Sequence, residues 1–398
     1  MKLLRDGDFK NKKVLVRCDF NVAIDDDGQI SDDFRIVKTL PTIKLLAKNG
    51  TVTVLMSHLE YQGNLMSLEI VAKHLEKILS RQIKFLKGCV GQKNMEKEIN
   101  SAIPGQILML ENLRFCPQEV ANDDSFAHQL AGLGDYYVNE AFSCSHREHA
   151  SIAGIPKYLN SYAGLLFEEE IRNLSKILKN PKRPLVAIIG GAKVEAKSKV
   201  IANILKIADH VLVGSKIGEK ILAQKNQLMG RQIERPEPTI DAIDLTNPKI
   251  HLPMDGVLAL KDFAEGYLRV AAIGTMRGEE EIYDIGPETI KIFAEIIKDA
   301  QTIFFSGPMG LFERPEFASG TKAVLEAILK AHSAYRVAGG GQTLEAIRKY
   351  KAEKTFNFLS TGGSAMLEYL AGNILPGVAA LDINPEIQSK PAPLAPKN

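Results

Sequence analysis

Residues 185–207 read LVAIIGGAKVEAKSKVIANILKI, and this stretch decides the fold class. Leu185 to Ile189 form an uninterrupted apolar run of strand length. Gly190 and Gly191 end it, and Val200, Ile201, Ile204, Leu205 and Ile207 then recur at helical spacing. A buried strand, a glycine turn and a helix, in that order, build a parallel sheet covered by helices. Glycine in such a turn lets backbone approach a ligand closely. The helix start behind it presents free N–H groups and a positive partial charge. Lys193 and Lys197 are four residues apart and share a face in or near the first turn, where a cation opposes the helix dipole. A bound phosphate would remove that conflict, so losing either lysine is expected to leave the apo fold unharmed or slightly stabilised. The competing reading is a pair of solvated lysines beside Glu195.

The same grammar recurs in HVLVGSK (210–216), TIFFSGPMG (302–310), YRVAGGGQT (335–343) and FNFLSTGGS (356–364). Their glycines, Gly214, Gly307, Gly310, Gly339, Gly340, Gly341, Gly362 and Gly363, predict one sheet edge built to hold phosphate. In the first half, strands are expected near Lys13–Arg17, Thr51–Met56, Ile83–Leu86, Ile107–Leu110 and Tyr136–Val138. Helical patterns such as Ile43–Lys48 and Ile70–Leu79 lie between them. The stripe Leu165, Leu166, Ile171, Leu174, Ile177 and Leu178, stopped by Asn180-Pro181, predicts a connecting helix within Ala163–Lys179. Ligands on such sheets bind at the carboxyl ends of the strands.

Those ends differ between the halves. The first half carries Arg17-Cys18-Asp19-Phe20-Asn21, Ser57-His58, Asn112-Leu113-Arg114 and Ser145-His146-Arg147, with Arg35 before a helix. Arg17, Arg35, Arg114, Arg147, His58 and His146 could surround a small polyanion, because guanidinium forks match phosphate and carboxylate. Taken singly, each arginine reads better as a surface ion pair. His149 and His332 have no such context.

Composition sets the bounds. A chain of 398 residues favours two domains, and 45% hydrophobic and 25% charged residues suit a globular protein. A formal net charge of +2 points to neither nucleic acid nor a membrane surface. No apolar run has transmembrane length and no signal peptide is expected. Cys18, Cys89, Cys116 and Cys144 are scattered, which fits reduced thiols better than a disulfide frame or a zinc site. G-x-G-x-x-G after the first strand, G-x-x-x-x-G-K-[ST] and H-E-x-x-H are all missing.

The strings VRCDFNV, DDFRIVKTLPTI, MSHL, LLENLRF, YYVNEAFSCSHREHASIAGIPKYL, AIIGGAKVEAKSKVI, YDIGPETI, FFSGPMGLFE, AGGGQTLEAI, STGGSAMLEYLAG and LPGVAAL, in unbroken order from Val14 to Leu381, resemble the phosphoglycerate kinase family. The resemblance implies an α/β protein of two doubly wound parallel-sheet, Rossmann-like domains joined by a helix and closing like a hinge. Residues 1–162 would bind 3-phosphoglycerate or 1,3-bisphosphoglycerate, and 163–183 would connect. Residues 184–381 would bind ATP or ADP with Mg²⁺, and 382–398 would form a tail. Asp19, Asn21, Arg35, His58, Arg114 and Arg147 stand at the family's substrate positions. Gly190, Gly191, Lys193, Lys197, Gly214, Pro308, Gly310, Glu313, Gly340, Gly341 and Thr343 stand at nucleotide positions, Glu313 at the ribose. Arg35, Lys193, Gly362 and Gly363 would act on the moving phosphoryl group. The implied setting is glycolysis, in the cytoplasm, by a monomer acting on small molecules, without nucleic acid or membrane.

Several positions depart from the family's strings. Gly-Arg-Pro after Ser57-His58-Leu59 is Glu60-Tyr61-Gln62, so Tyr61 replaces an arginine. Gly-Thr-Ala before His-Arg is Ser143-Cys144-Ser145. Ala196, Ser215, Lys216 and Ser306 also differ, and Ser215 and Lys216 are expected to crowd the adenine shelf. Gln342 replaces an aspartate that helps hold magnesium, and it is a weaker ligand for a hard dication. A changed nucleotide or acceptor preference, or a silent binding protein, are therefore the alternative readings.

Overall fold

The computed structural model describes residues 1–191, 194–228, 243–261 and 266–383. Lys193 lies outside the described residues, as does the tail expected over 384–398. The side chains of Ala196 and Ser215 do as well. The described chain separates into two compact units, Met1–Ile171 with Ile374–Ile383, and Arg172–Asn373.

The first unit is built on seven parallel strands. Their order is Lys2–Leu3, Ser161–Ala163, Tyr136–Asn139, Lys13–Arg17, Val52–Met56, Ile107–Leu110 and Ile83–Leu86. Helices on both faces explain why the central strands are apolar at nearly every position. Val14, Leu15 and Val16 are fully buried, as are Val54, Leu55 and Met56. The helix over Ile43–Lys48 is longer than its periodicity suggests and runs Phe34–Lys48. The chain builds outward from Lys13–Arg17 on one side and then crosses to Tyr136–Asn139 on the other. The strand ends at that reversal make the natural ligand crevice.

The second unit repeats the plan with six parallel strands. Their order is Ile250–His251, His210–Val213, Leu185–Ile189, Thr302–Ser306, Tyr335–Gly339 and Phe358–Ser360. All five glycine-ended runs are neighbours here. Helices Val194–Ile204, Ser215–Leu228, Gly341–Lys349 and Gly363–Leu370 begin at the turns. The helix Leu165–Lys179 lies where the apolar stripe puts it.

Three features depart from the sequence expectations. The alternation of strand and helix is interrupted by an antiparallel sheet of Leu268–Ala272, Asp255–Leu260 and Glu280–Ile285. Its outer strand alternates exposed and half-buried residues and so has no apolar run to announce it. Cys89 and Cys116 are joined in a disulfide rather than remaining thiols, while Cys18 and Cys144 are free and buried. The pair ties the loops behind two adjacent strands, Ile83–Leu86 and Ile107–Leu110, a neighbourhood that sequence separation conceals. The second domain does not extend to Leu381, because the described residues Ile374–Ile383 pack into the first unit.

In that return, Gly377 donates its N–H to the Ser145 carbonyl at 2.8 Å. A Cβ on Gly377 would lie 2.6 Å from Ser145 Oγ and 2.9 Å from Ile152 Cγ2. Gly377→Ala is therefore expected to destabilise the first unit by about 1–3 kcal/mol. Calorimetry should show its transition lowered, and an unshifted transition would contradict this packing.

Candidate functional site

In the first unit the structure gathers Asp19, Asn21, Arg35, His58, Arg114 and Arg147 at the carboxyl ends of adjacent strands. Asp19 and His58 follow the central pair, Lys13–Arg17 and Val52–Met56. Arg114 follows Ile107–Leu110, and Arg147 lies in the segment after Tyr136–Asn139. Asn112 shapes the Arg114 turn by accepting the Arg114 N–H at 3.0 Å.

Arg35 Nη1 donates to Asp19 Oδ2 at 2.8 Å and to the Asn21 carbonyl at 3.0 Å. The Ser143 hydroxyl donates to the same Asp19 oxygen, and Asn21 N–H to the other at 3.1 Å. Burial alone would raise the Asp19 pKa. Arg35 and these hydrogen bonds outweigh it and hold the carboxyl well below the usual range.

Behind this cluster lies a cation that composition undervalued. Arg17 is 1% exposed. Its Nε donates to Ser151 Oγ at 2.8 Å, Nη1 to the Cys18 carbonyl, and Nη2 to His58 Nδ1 at 3.3 Å. Ser151 in turn donates its hydroxyl to Glu119 Oε1 at 2.5 Å and its N–H to Oε2 at 2.9 Å. Glu119, Ser151 and Ser143 support the site, and their roles are not visible in the sequence because their partners are distant in it.

This network fixes the protonation of His58. A guanidinium has donors only, so Nδ1 must accept and the imidazole proton sits on Nε2. Burial pushes the His58 pKa well below its ordinary value, and the Arg17, Arg114 and Arg147 charges push it further. His58 is thus a neutral donor. His149, 3.8 Å from Glu119, is likewise pushed down to about 4, first by burial and then by the arginines.

Asp19, His58 and Cys144 place one ligand atom each within 4.8 Å of one another, the one such group among the described residues. The donor types would suit a soft or borderline dication. Two of them are already engaged, Asp19 by Arg35 and His58 by Arg17, and the surrounding guanidinium charges oppose a cation. The cluster suits an anion.

In the second unit the glycines divide by what surrounds them. A Cβ on Gly190 would lie 2.1 Å from the Pro308 carbonyl, on Gly214 2.6 Å from Met309 Sδ, and on Gly310 2.3 Å from Asp284 Oδ1. These glycines let chain segments pack together. Gly341 and Gly363 have open space within 4 Å, and Gly191, Gly340 and Gly363 adopt φ of +86°, +106° and +51°. Close approach by a ligand is therefore available at Gly341 and Gly363, each at a helix start. Gly362 caps the helix Gly363–Leu370, donating its N–H to Ser360 Oγ at 3.0 Å.

Thr343 Oγ1 accepts the Gly307 N–H at 2.7 Å. Pro308 and Gly310 are buried, and Gln342 and Glu313 are exposed. Asp284 accepts the Gly320 N–H at 2.6 Å and the Ile285 N–H at 2.9 Å beneath the Gly310 loop. Burial pushes its pKa up to about 7. Lys216 does not stand free to block a shelf: its ammonium is 2.6 Å from Glu281 and 3.3 Å from Glu219.

Lys197 departs from the sequence expectation. Its ammonium is not solvated at the helix start. The residue is 8% exposed, and Nζ donates to the Gly190 carbonyl and, at 3.0 Å, to the Ser306 carbonyl. The negative ends of two parallel strands replace the phosphate that the dipole argument asked for. Gln342 Oε1 lies on the same side, 3.7 Å from where a Gly191 Cβ would stand, with Lys197 Nζ at 3.2 Å from that point.

Residues 4–373 match the family model described as phosphoglycerate kinase. The phosphoglycerate kinase of Dictyoglomus turgidum is 40% identical over 95% of this chain and 97% of its own length. That of Moorella thermoacetica is 40% identical over 95% and 98%. Among solved structures, phosphoglycerate kinase from Coxiella burnetii superposes with a TM-score of 0.81 at 32% identity, covering 97% of this chain and 99% of its own. That from Pyrococcus horikoshii OT3 has a TM-score of 0.82 at 31% identity over 96% and 98%.

Two outcomes are expected. Lys197→Ala should lower, not raise, apo stability by about 1–3 kcal/mol, because buried carbonyl oxygens lose their donor. Denaturant unfolding checks it, and unchanged stability would deny the bonds their role. His58, whose folded pKa lies below its unfolded one, gives up its proton on folding. Its contribution to stability should therefore decline as pH falls through about 6.5. NMR of the imidazole should show no titration between pH 8 and 6, and an inflection there would contradict the buried neutral ring.

Proposed function

The chain belongs to the phosphoglycerate kinase family, and from that premise we propose how its residues divide the reversible phosphoryl transfer between 1,3-bisphosphoglycerate and ADP. It is a phosphotransferase with a carboxyl group as acceptor. The observation that carries the reading is the unit-specific chemistry of the strand ends: guanidinium groups around a neutral histidine in one unit, glycine-opened helix starts in the other.

In the first unit, Arg35, Arg114 and Arg147 hold the acid substrate's charges, and His58 donates from Nε2. Asp19 and Asn21 orient Arg35, which then neutralises the transferring phosphoryl group. In the second unit, the N–H groups at Gly341 and Gly363 face the nucleotide phosphates, Gly362 caps the helix start that presents Gly363, and Lys197 supports the Gly190 turn from beneath. Lys193, two residues after Gly191, is proposed from its sequence position to follow the moving phosphoryl group. Gly190, Gly191, Gly214, Pro308, Gly310, Gly340 and Thr343 shape the shelf, and Glu313 takes the ribose.

Magnesium enters as part of the nucleotide substrate. Among the shelf residues Gln342 offers one neutral side-chain oxygen, and Lys197 stands on the same side, so the local donor set suits a metal carried mainly by phosphate and water. The acyl phosphate is already activated, so the residues above orient the reactants and stabilise charge. A monomer working in the cytoplasm in glycolysis completes the proposal. No helix among the described residues is long and apolar enough to cross a membrane.

A coupled assay of purified protein with 3-phosphoglycerate and ATP, over a magnesium series and with GTP in parallel, tests the reading. Arg35→Ala should cost about 3 kcal/mol or more in kcat/KM while nucleotide affinity, measured separately, stays within twofold. Unchanged turnover would remove Arg35 from the chemistry. Binding of nucleotide without any turnover of the parent would favour the silent binding protein.

A further inference from the structure

One anion in the basic cluster has no place in the scheme above. Glu60 Oε2 lies 2.6 Å from Arg114 Nη1. The Arg114 side chain is 12% exposed and that of Glu60 39%. Burial, together with Arg147 and Arg17, disfavours the Arg114 charge, and Glu60 is the carboxylate that offsets this. In the ligand-free protein, a group of the chain itself occupies a guanidinium proposed to bind the acid substrate.

Glu60 is placed there by construction. It opens a hairpin of Glu60–Tyr61 and Asn64–Leu65. Gln62 and Gly63 turn it with φ of 49° and 78°, the double positive φ of a tight hairpin turn. Asn112 Nδ2 donates to the carbonyls of Leu59 and Met66, both at 2.7 Å, and so closes the hairpin base. Asn21 Oδ1 accepts the Glu60 N–H at 2.9 Å. The backbone that carries the carboxylate is thus pinned by two side chains of the same crevice.

We propose that Glu60 is a specificity-determining internal counter-ion: it neutralises Arg114 when the crevice is empty and competes with the substrate's anionic group for it. This rests on the assignment of the acid substrate to the first unit. A carboxylate on a short, pinned hairpin has a high effective concentration at its partner. The competing ligand must therefore bring more charge than one carboxylate, or two groups that Arg114 and its neighbours can share. A phosphorylated acid satisfies that condition and a simple carboxylic acid does not. Glu60 thereby sets a charge threshold for entry.

The test is steady-state kinetics of the full chain with 3-phosphoglycerate and ATP, for the parent, Glu60→Gln and Glu60→Ala, alone and combined with Arg114→Ala. Glu60→Gln should lower the KM for 3-phosphoglycerate about two- to fivefold, the range of a partly exposed ion pair. The KM for ATP should not move. With Arg114→Ala already present, Glu60→Gln should bring no further gain. In thermal unfolding without ligand, Glu60→Gln should melt lower than the parent, and added 3-phosphoglycerate should raise its Tm by more. An unchanged or raised KM for 3-phosphoglycerate, or the same gain without Arg114, would overturn the proposal. If the parent shows no turnover, the kinase reading fails by itself. The Tm shift with 3-phosphoglycerate, and with inorganic phosphate in its place, then decides the Glu60 question: a larger shift in Glu60→Gln upholds it, and an equal or smaller one refutes it.

Discussion

An enclosed cation must be given acceptors, and both units of this protein meet that demand at the carboxyl ends of parallel strands. Arg17 in the first unit and Lys197 in the second are almost wholly buried. Neither can rely on water, and an unpaired charge in such a place is prohibitively costly. Arg17 is supplied by the Cys18 carbonyl, Ser151 and His58. Lys197 is supplied by the Gly190 and Ser306 carbonyls. The strand ends that make these sheets good anion sites are therefore also where carbonyl groups stabilise the cations from behind.

The consequences spread outward from Arg17. Because it can only donate, it dictates which ring nitrogen of His58 carries the proton. Because Ser151 must accept from it, Ser151 directs its own hydroxyl to Glu119. In front of it, Asp19 stays ionised despite burial because Arg35 and the hydrogen bonds from Ser143 and Asn21 stabilise the carboxylate. Asp284 shows the contrast. It is also buried, but the hydrogen bonds it accepts come from the Gly320 and Ile285 N–H groups, and burial pushes its pKa up to about 7. The difference between these two aspartates is the presence of guanidinium, not the degree of burial.

Much of this was legible in the sequence. The apolar runs Lys13–Arg17 and Leu185–Ile189 announce themselves because central strands covered on both faces admit few polar residues. The glycines marked the turns correctly, but their sequence could not say why each is glycine. Gly190, Gly214 and Gly310 answer to Pro308, Met309 and Asp284, partners brought close only by folding. For the same reason the helix dipole alone does not describe Lys197: the carbonyl groups that bind it belong to the turn before the helix and to another strand. Glu60 registered as a missing glycine, not as a carboxylate beside Arg114, because their 54-residue separation hides the pair. The Cys89–Cys116 link and the antiparallel sheet were missed on similar grounds.

The return of the chain at Ile374 bears on the order in which the protein is made. The second unit, Arg172–Asn373, is complete before the last piece of the first emerges. That piece brings Gly377, whose N–H meets the Ser145 carbonyl, and Asp382, whose carboxylate meets the Met1 ammonium. During vectorial synthesis the Ser145 carbonyl therefore waits for a donor translated more than two hundred positions later. The unit that starts first is thus completed only after the second has emerged, and a carbonyl beside its anion crevice gains its backbone partner at that late stage.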